Sequence, residues 1–163
     1  MKKSALLAIS LFICVFMFNT AMAGDAVADK SDHGIKYYDY EEGLKKAQQD
    51  SLHVAVFFKT TWCKYCKVMD STTMRDPEIV DLMNKYFVAV KVDGDKRKDL
   101  RKSYGVKGYP ETWFLESNGD RIAPAPGYWQ TDDFLLLLKY VGEEIYKEQE
   151  FLKWAETQKK TKG

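Results

Sequence analysis

The segment Val-Phe-Phe-Lys-Thr-Thr-Trp-Cys-Lys-Tyr-Cys-Lys, residues 56–67, joins an apolar run to two cysteines that are separated by two residues. The run from Leu52 to Phe58 is almost wholly apolar, which is typical of a strand covered on both faces. The residues from Cys63 to Met74 suit a helix. The pattern therefore predicts a cysteine pair where a buried strand ends and a helix begins.

Other helices and strands alternate along the chain on both sides of this segment. The sequence predicts further helices at 40–49, 76–84, 96–104 and 131–145, and further strands at 87–92, 112–116 and 120–123. Strand-helix-strand units imply parallel pairing, whereas Asn118-Gly119 is a strong hairpin signal. The order predicts an α/β fold with a mixed four-stranded sheet flanked by helices, an added N-terminal helix and a C-terminal helical extension.

The amino terminus has the pattern of a secretory signal peptide. Lys2 and Lys3 precede an apolar stretch that ends at Ala21-Met22-Ala23. We expect cleavage after Ala23 and export, to the periplasm or an equivalent compartment, and the alternative is an uncleaved membrane anchor. The predicted organisation is a signal peptide at 1–23, a flexible leader at 24–34, a folded domain at 35–146 and a helical tail at 147–163.

Charge and cysteine content exclude several classes of function. The 25 basic and 24 acidic residues nearly balance, so neither nucleic acid nor an anionic membrane is expected as a partner. Cleavage would remove Cys14 and leave Cys63 and Cys66 in a compartment where disulfides persist. A bridge between them closes too short a loop to restrain the unfolded chain much. No separate dimerisation domain is visible, and we expect a monomer.

The cysteine pair has the arrangement of a dithiol redox centre. A thiolate attacks a disulfide, and a helix amino terminus stabilises that charge at Cys63. Cys66 lies one turn further along the helix and can resolve a mixed disulfide. The sequence thus predicts Cys63 as the exposed nucleophile and Cys66 as the resolving thiol. Trp62, Lys64 and Tyr65 would modulate the pair, Lys64 through its charge and Trp62 as a hydrophobic shield or contact surface.

Metal binding is the competing interpretation of this motif. Zinc generally takes four ligands, and the two histidines of the chain are His33 in the leader and His53 within a strand. We expect His53 to be structural. Haem attachment requires a histidine at position 67, which is lysine. The sequence therefore predicts no metal and no cofactor, although a metal-carrying or protein-binding module without turnover remains an alternative.

Three separated segments resemble the thioredoxin superfamily. They are residues 56–67, Val90-Lys91-Val92-Asp93, and the run from Tyr104 to Thr112 that contains Gly-Tyr-Pro-Glu. From about residue 37 to 146 the chain is most similar to exported members, such as SoxW-type periplasmic thioredoxins and the carboxy-terminal domain of DsbD. The resemblance implies the thioredoxin fold, with a cis Tyr109-Pro110 bond facing Cys63. The backbone of Tyr109 would then bind an extended substrate segment.

One departure from the family pattern concerns the proton of the deeper cysteine. Family members usually carry a buried acid six residues before the first cysteine and a lysine near it on the next strand. Phe57 and Ala89 occupy those positions here. Glu111 or Lys59 are the candidate substitutes for this proton acceptor.

The resemblance also implies an activity and partners. The expected function is an exported thiol-disulfide oxidoreductase that reduces substrate disulfides through a mixed-disulfide intermediate. Its substrate would be a disulfide-containing protein or a small thiol, and a membrane thiol relay would supply electrons. A disulfide-forming oxidase or isomerase is the alternative.

Overall fold

A computed structural model describes residues 33–161 of the chain. The predicted signal peptide, and the leader up to residue 32, lie outside the described residues. The strands are β1 Tyr37–Tyr38, β2 His53–Lys59, β3 Phe87–Asp93, β4 Glu111–Leu115 and β5 Arg121–Pro126. The α-helices are α1 Tyr40–Asp50, α2 Lys64–Ser71, α3 Pro77–Tyr86, α4 Lys98–Tyr104, α5 Thr131–Gly142 and α6 Phe151–Thr161. Within this described range, no helix combines the length and apolar character needed to cross a membrane.

The strands form one mixed sheet in the order β1-β3-β2-β4-β5. The first three strands in chain order are parallel to one another, and β4 and β5 join as antiparallel neighbours. The predicted mixed sheet is confirmed, but it has five strands rather than four. The added strand is β1, in which Tyr37 and Tyr38 pair with Ala89 and Val90. Two residues are too few to show the alternating pattern by which a strand is recognised.

Two of the predicted helices are interrupted in the structure. The predicted helix 63–74 divides into α2 and a 3₁₀ turn at Thr73–Arg75, because the backbone of Thr72 leaves the helical region (φ −120°, ψ −84°). The last predicted helix ends at Gly142, and a separate 3₁₀ turn follows at Ile145–Lys147. Between them Glu144 adopts a left-handed conformation with φ 58°, which a continuous helix cannot accommodate.

Each face of the sheet covers its own apolar core. Helices α2, α3, α5 and α6 pack on the face that carries Ala55, Phe57, Ala89 and Phe114, called here the first face. Helices α1 and α4 pack on the second face, which carries Val54, Val56, Phe58 and Val90. The alternation of side chains along β2 supplies both cores, as the apolar run predicts. It also places the cysteine-bearing helix α2 on the first face.

The predicted C-terminal tail is helical from Phe151 and packs against the domain. Trp154 is 6% exposed, and its ring centroid lies 5.7 Å from that of Tyr140 on α5. Ala155 is also buried in the first core. Helix α6 therefore contributes to the same core as the cysteine-bearing helix.

Candidate active site

The two cysteines lie at the amino-terminal end of α2. Cys63 is the N-cap residue and forms a disulfide with Cys66, with 5.3 Å between their Cα atoms. The backbone N–H of Cys66 donates a hydrogen bond of 3.0 Å to Cys63 Sγ. An amide donor and the positive end of the helix dipole both stabilise negative charge on that sulfur. This position suits a cysteine that must react as a thiolate.

The exposure of Cys63 differs from the sequence prediction. Cys63 is 4% exposed and Cys66 is 3% exposed. Cys63 is therefore not an exposed nucleophile in the disulfide form. The sulfur is turned toward the first-turn amide and bonded to Cys66, which shields it from solvent. The flanking side chains face outward instead, with Trp62 65% and Tyr65 62% exposed.

The loop that carries Pro110 lies beside the cysteine loop. The Tyr109–Pro110 peptide bond is cis, and Pro110 itself is buried. The rings of Trp62 and Tyr109 meet edge to face, with centroids 5.8 Å apart. This contact connects the residue before Cys63 to the residue before Pro110.

Gly94 and Asp95, directly after β3, hold these two aromatic side chains. A Cβ at Gly94 would lie 1.9 Å from the Tyr109 hydroxyl oxygen, so the ring occupies the space that a side chain would fill. Burial raises the pKa of this Tyr109 hydroxyl. Trp62 Nε1 donates a hydrogen bond of 2.8 Å to Asp95 Oδ2. The β3–α4 turn therefore positions both the cysteine loop and the proline loop.

An exposed aromatic rim borders the cysteines, formed by Trp62, Tyr65 and Tyr128. Tyr128 is 37% exposed, and its ring centroid lies 6.4 Å from that of Tyr65. Among the described residues these three and Leu152, on α6, are the exposed large hydrophobic side chains. Lys64, also exposed, stands within the rim. Apolar exposure is thus concentrated around the redox pair.

The structure separates the two candidate proton acceptors for Cys66. Glu111 pairs with Phe58 across the sheet, so its side chain lies on the second face, away from α2. There its carboxylate accepts a 2.8 Å hydrogen bond from Trp113 Nε1. Lys59, at the end of β2, forms an ion pair with Asp70 on α2.

Asp70 is a charged residue of the cysteine-bearing helix that sequence reasoning missed. It follows Cys66 by four positions on α2, and residues at that spacing are neighbours on a helix surface. The spacing was visible in the sequence, but the partnership with Lys59 depends on how α2 docks against the end of β2. Of the two candidate acceptors, Lys59 therefore contacts the cysteine-bearing helix, whereas Glu111 lies on the opposite face of the sheet.

Comparison with known protein families agrees with the fold and the motif. The profile described as a thioredoxin-like domain matches residues 40–142. The thioredoxin of Thermus thermophilus has a structure that superposes with a TM-score of 0.62 at 28% sequence identity, over 66% of this chain and 87% of that one. The expected thioredoxin fold is confirmed.

Two curated relatives are named for disulfide chemistry. The thiol:disulfide interchange protein DsbD of Neisseria meningitidis is 30% identical over 114 residues, which cover 64% of this chain and 19% of DsbD. The disulfide bond reductase DsbH of Chlamydia pneumoniae is 25% identical over 101 residues, covering 55% of this chain and 61% of DsbH. The chain thus spans about a fifth of the length of its DsbD relatives.

Proposed function

Because this chain belongs to the thioredoxin-like family, we propose that it is an exported thiol-disulfide oxidoreductase that reduces substrate disulfides. One observation carries the proposal. Cys63 caps α2, with the Cys66 amide donating to its sulfur and the second cysteine already in bonding position. This arrangement stabilises the attacking thiolate and supplies the thiol that completes the reaction.

The reaction begins with the reduced form of the pair. The Cys63 thiolate attacks one sulfur of the substrate disulfide, and the other substrate sulfur leaves as a thiolate that takes up a proton. Cys66 then loses its proton and attacks Cys63 Sγ, which releases the second substrate sulfur. Two electrons pass to the substrate, and the protein is left with the Cys63–Cys66 disulfide. The Asp70 carboxylate, which is paired with Lys59, would accept the Cys66 proton.

The reducing direction is supported by the relatives rather than by the geometry. DsbH is described as a disulfide bond reductase, and DsbD as a thiol:disulfide interchange protein. A reductase in an oxidising compartment needs a renewable source of electrons. We assign that role to a membrane thiol relay. The signal-peptide pattern of residues 1–23, with cleavage after Ala23, supports a periplasmic location.

The surroundings of the cysteines favour a protein substrate. The aromatic rim offers exposed apolar surface on both sides of Cys63, as expected of a contact surface. The loop of Tyr109 and Pro110 lies beside the cysteine loop, where the rings of Trp62 and Tyr109 are in contact. We propose that an extended substrate segment pairs with backbone groups of Tyr109 there, with its sulfur over Cys63. We propose that the domain, residues 35–146, works as a monomer.

Insulin disulfide reduction with dithiothreitol as the electron source tests the activity. The wild-type chain should precipitate the insulin B chain, and Cys63→Ala should abolish this catalysis. Cys66→Ala should instead accumulate mixed disulfides with substrate proteins in the exporting cell. Absence of turnover in the wild-type chain would indicate a binding or metal-carrying module.

The reduction potential of the pair tests the direction. Dithiol proteins range from about −270 mV for thioredoxin to about −120 mV for a strong oxidant. We expect a value toward the thioredoxin end of this range, measured by equilibration with glutathione or dithiothreitol. A value near the oxidant end would make the protein a disulfide-forming oxidase or isomerase.

A further inference from the structure

A second cluster of ligating side chains lies at the end of the sheet opposite the cysteines. It contains His53 at the start of β2, Glu116 directly after β4, and Glu144 in the connection that follows α5. One ligating atom from each residue lies within 4.8 Å of the other two. The seven residues of β2 separate His53 from the cysteine end by about 20 Å.

The histidine of this cluster faces both carboxylates without hydrogen-bonding to either. Its Nδ1 lies 3.5 Å from Glu116 Oε2, and its Nε2 lies 3.8 Å from Glu144 Oε1. Only 11% of the His53 side chain is exposed to solvent. Its Nδ1 is buried and has no hydrogen-bond partner among the described residues. The buried Nδ1 on the Glu116 side of the ring is therefore available to a ligand that these residues share.

We propose that His53, Glu116 and Glu144 form a binding site for a divalent cation of the zinc type. Imidazole nitrogen and carboxylate oxygen are both zinc ligands, and three protein ligands leave one position for water. Zinc bond lengths of about 2.0–2.2 Å require the three groups to converge by rotation of their side chains. Tyr146 already orients one of them, because its hydroxyl donates a hydrogen bond to Glu116 Oε1. Such support of a ligating carboxylate is usual at metal sites.

Lys147 is the competitor for this site. Its Nζ lies 2.7 Å from Glu144 Oε1 and 3.9 Å from Glu116 Oε1, so it neutralises part of the carboxylate charge. The lysine side chain is 48% exposed and can turn into solvent. A divalent cation would balance both carboxylates, whereas the lysine balances only one of the two charges. The bound cation would tie the start of β2 and the end of β4 to the segment that leads into α6.

This site is independent of the proposed redox function. Its binding test uses the full chain with Cys14→Ser and the Cys63–Cys66 pair oxidised, so that no free thiol can ligate zinc. We expect calorimetric titration with zinc chloride to give one site per chain. Glu144→Gln, a half-exposed change that spares the core, and His53→Ala should each weaken binding at least about tenfold. His33→Ala, which removes the chain's other histidine, should leave the affinity unchanged.

Lys147→Gln supplies the positive test. Removal of the competing ammonium should tighten zinc binding and enlarge the rise in melting temperature that zinc produces. Zinc should also shift the imidazole nitrogen resonances of His53 in the wild-type chain. The proposal is overturned if the oxidised chain binds no zinc, if Glu144→Gln and His53→Ala bind it as well as the wild type, or if Lys147→Gln leaves the affinity unchanged.

Discussion

Trp62 Nε1 donates a 2.8 Å hydrogen bond to Asp95 Oδ2, which links the residue before the first cysteine to the turn after β3. Trp62 is 65% exposed, so apolar packing alone does not fix its orientation. The bond to Asp95 and the contact with Tyr109 supply the remaining restraint. The exposed indole is therefore held in place by its own chain. For the contact role proposed for Trp62, this restraint would lower the entropy cost of binding.

Removal of this bond should weaken catalysis more than stability. A hydrogen bond of this kind contributes about 1 kcal/mol, so Asp95→Ala should lower kcat/KM for insulin reduction about fivefold. The unfolding midpoint in urea should hardly change, because Asp95 is exposed. Asp95→Asn keeps an acceptor oxygen and serves as the control. Equal losses in the two variants would count against a role for the bond.

Gly94→Ala should disturb the proline loop. The new Cβ would lie 1.9 Å from the Tyr109 hydroxyl oxygen, which forces the ring or the β3–α4 turn to move. Overpacking of this kind costs about 1–3 kcal/mol, measurable by urea unfolding, and should slow disulfide reduction as well.

Gly108→Ala is the matched control for this change. Gly108 lies in the same proline loop, but a Cβ there meets nothing within 4 Å. We expect a change in unfolding free energy within about 0.5 kcal/mol. If Gly108→Ala destabilised the protein as much as Gly94→Ala, the loop itself, rather than the Gly94 contact, would be sensitive.

Lys59 and Glu111 should differ in their effect on Cys66. Lys59→Met removes a cation near α2 and leaves the Asp70 carboxylate without its partner. Uncompensated negative charge disfavours a thiolate, so the pKa of Cys66 should rise and resolution of the mixed disulfide should require higher pH. The pH dependence of single-turnover reduction measures this shift.

Glu111→Gln should leave that pH dependence unchanged, because its side chain lies on the second face and bonds to Trp113. This variant tests Glu111 directly as the alternative proton acceptor for Cys66. A pH profile that moves in Glu111→Gln and stays fixed in Lys59→Met would reverse the assignment made here.

The C-terminal helix should contribute substantially to stability. Trp154 is 6% exposed and packs on Tyr140, so Trp154→Ala should cost about 3–5 kcal/mol. Leu152→Ala, on the same helix but 75% exposed, should change stability by less than about 0.5 kcal/mol. Denaturant unfolding of both variants measures the difference. Similar stabilities would mean that α6 is not coupled to the core.

Local signals made much of the fold and the cysteine pair predictable. The buried runs of β2 and β3 and the Asn118-Gly119 hairpin are contiguous patterns, and the structure contains each of them. The Cys63–Cys66 spacing next to a buried strand is equally local.

Features that depend on long-range packing were missed. The two residues of β1 are too few to show an alternation of apolar and polar side chains. The cluster that contains His53 and Glu144 brings together positions that are 91 residues apart in the sequence. Lys59 and Asp70 meet only because α2 folds back along the end of β2. The burial of Cys63 follows from its disulfide bond to Cys66. The spacing of the two cysteines in the sequence allows this bond but does not show which way the sulfur of Cys63 turns.

The two outer strands of the sheet limit unwanted association between copies of the protein. At one side β1 is only two residues long and offers little backbone for another chain to extend. At the other side β5 contains Pro124 and Pro126, which lack the N–H groups that an added strand would need. The exposed aromatic rim is therefore not accompanied by a long, regular sheet edge that a second copy of the chain could extend.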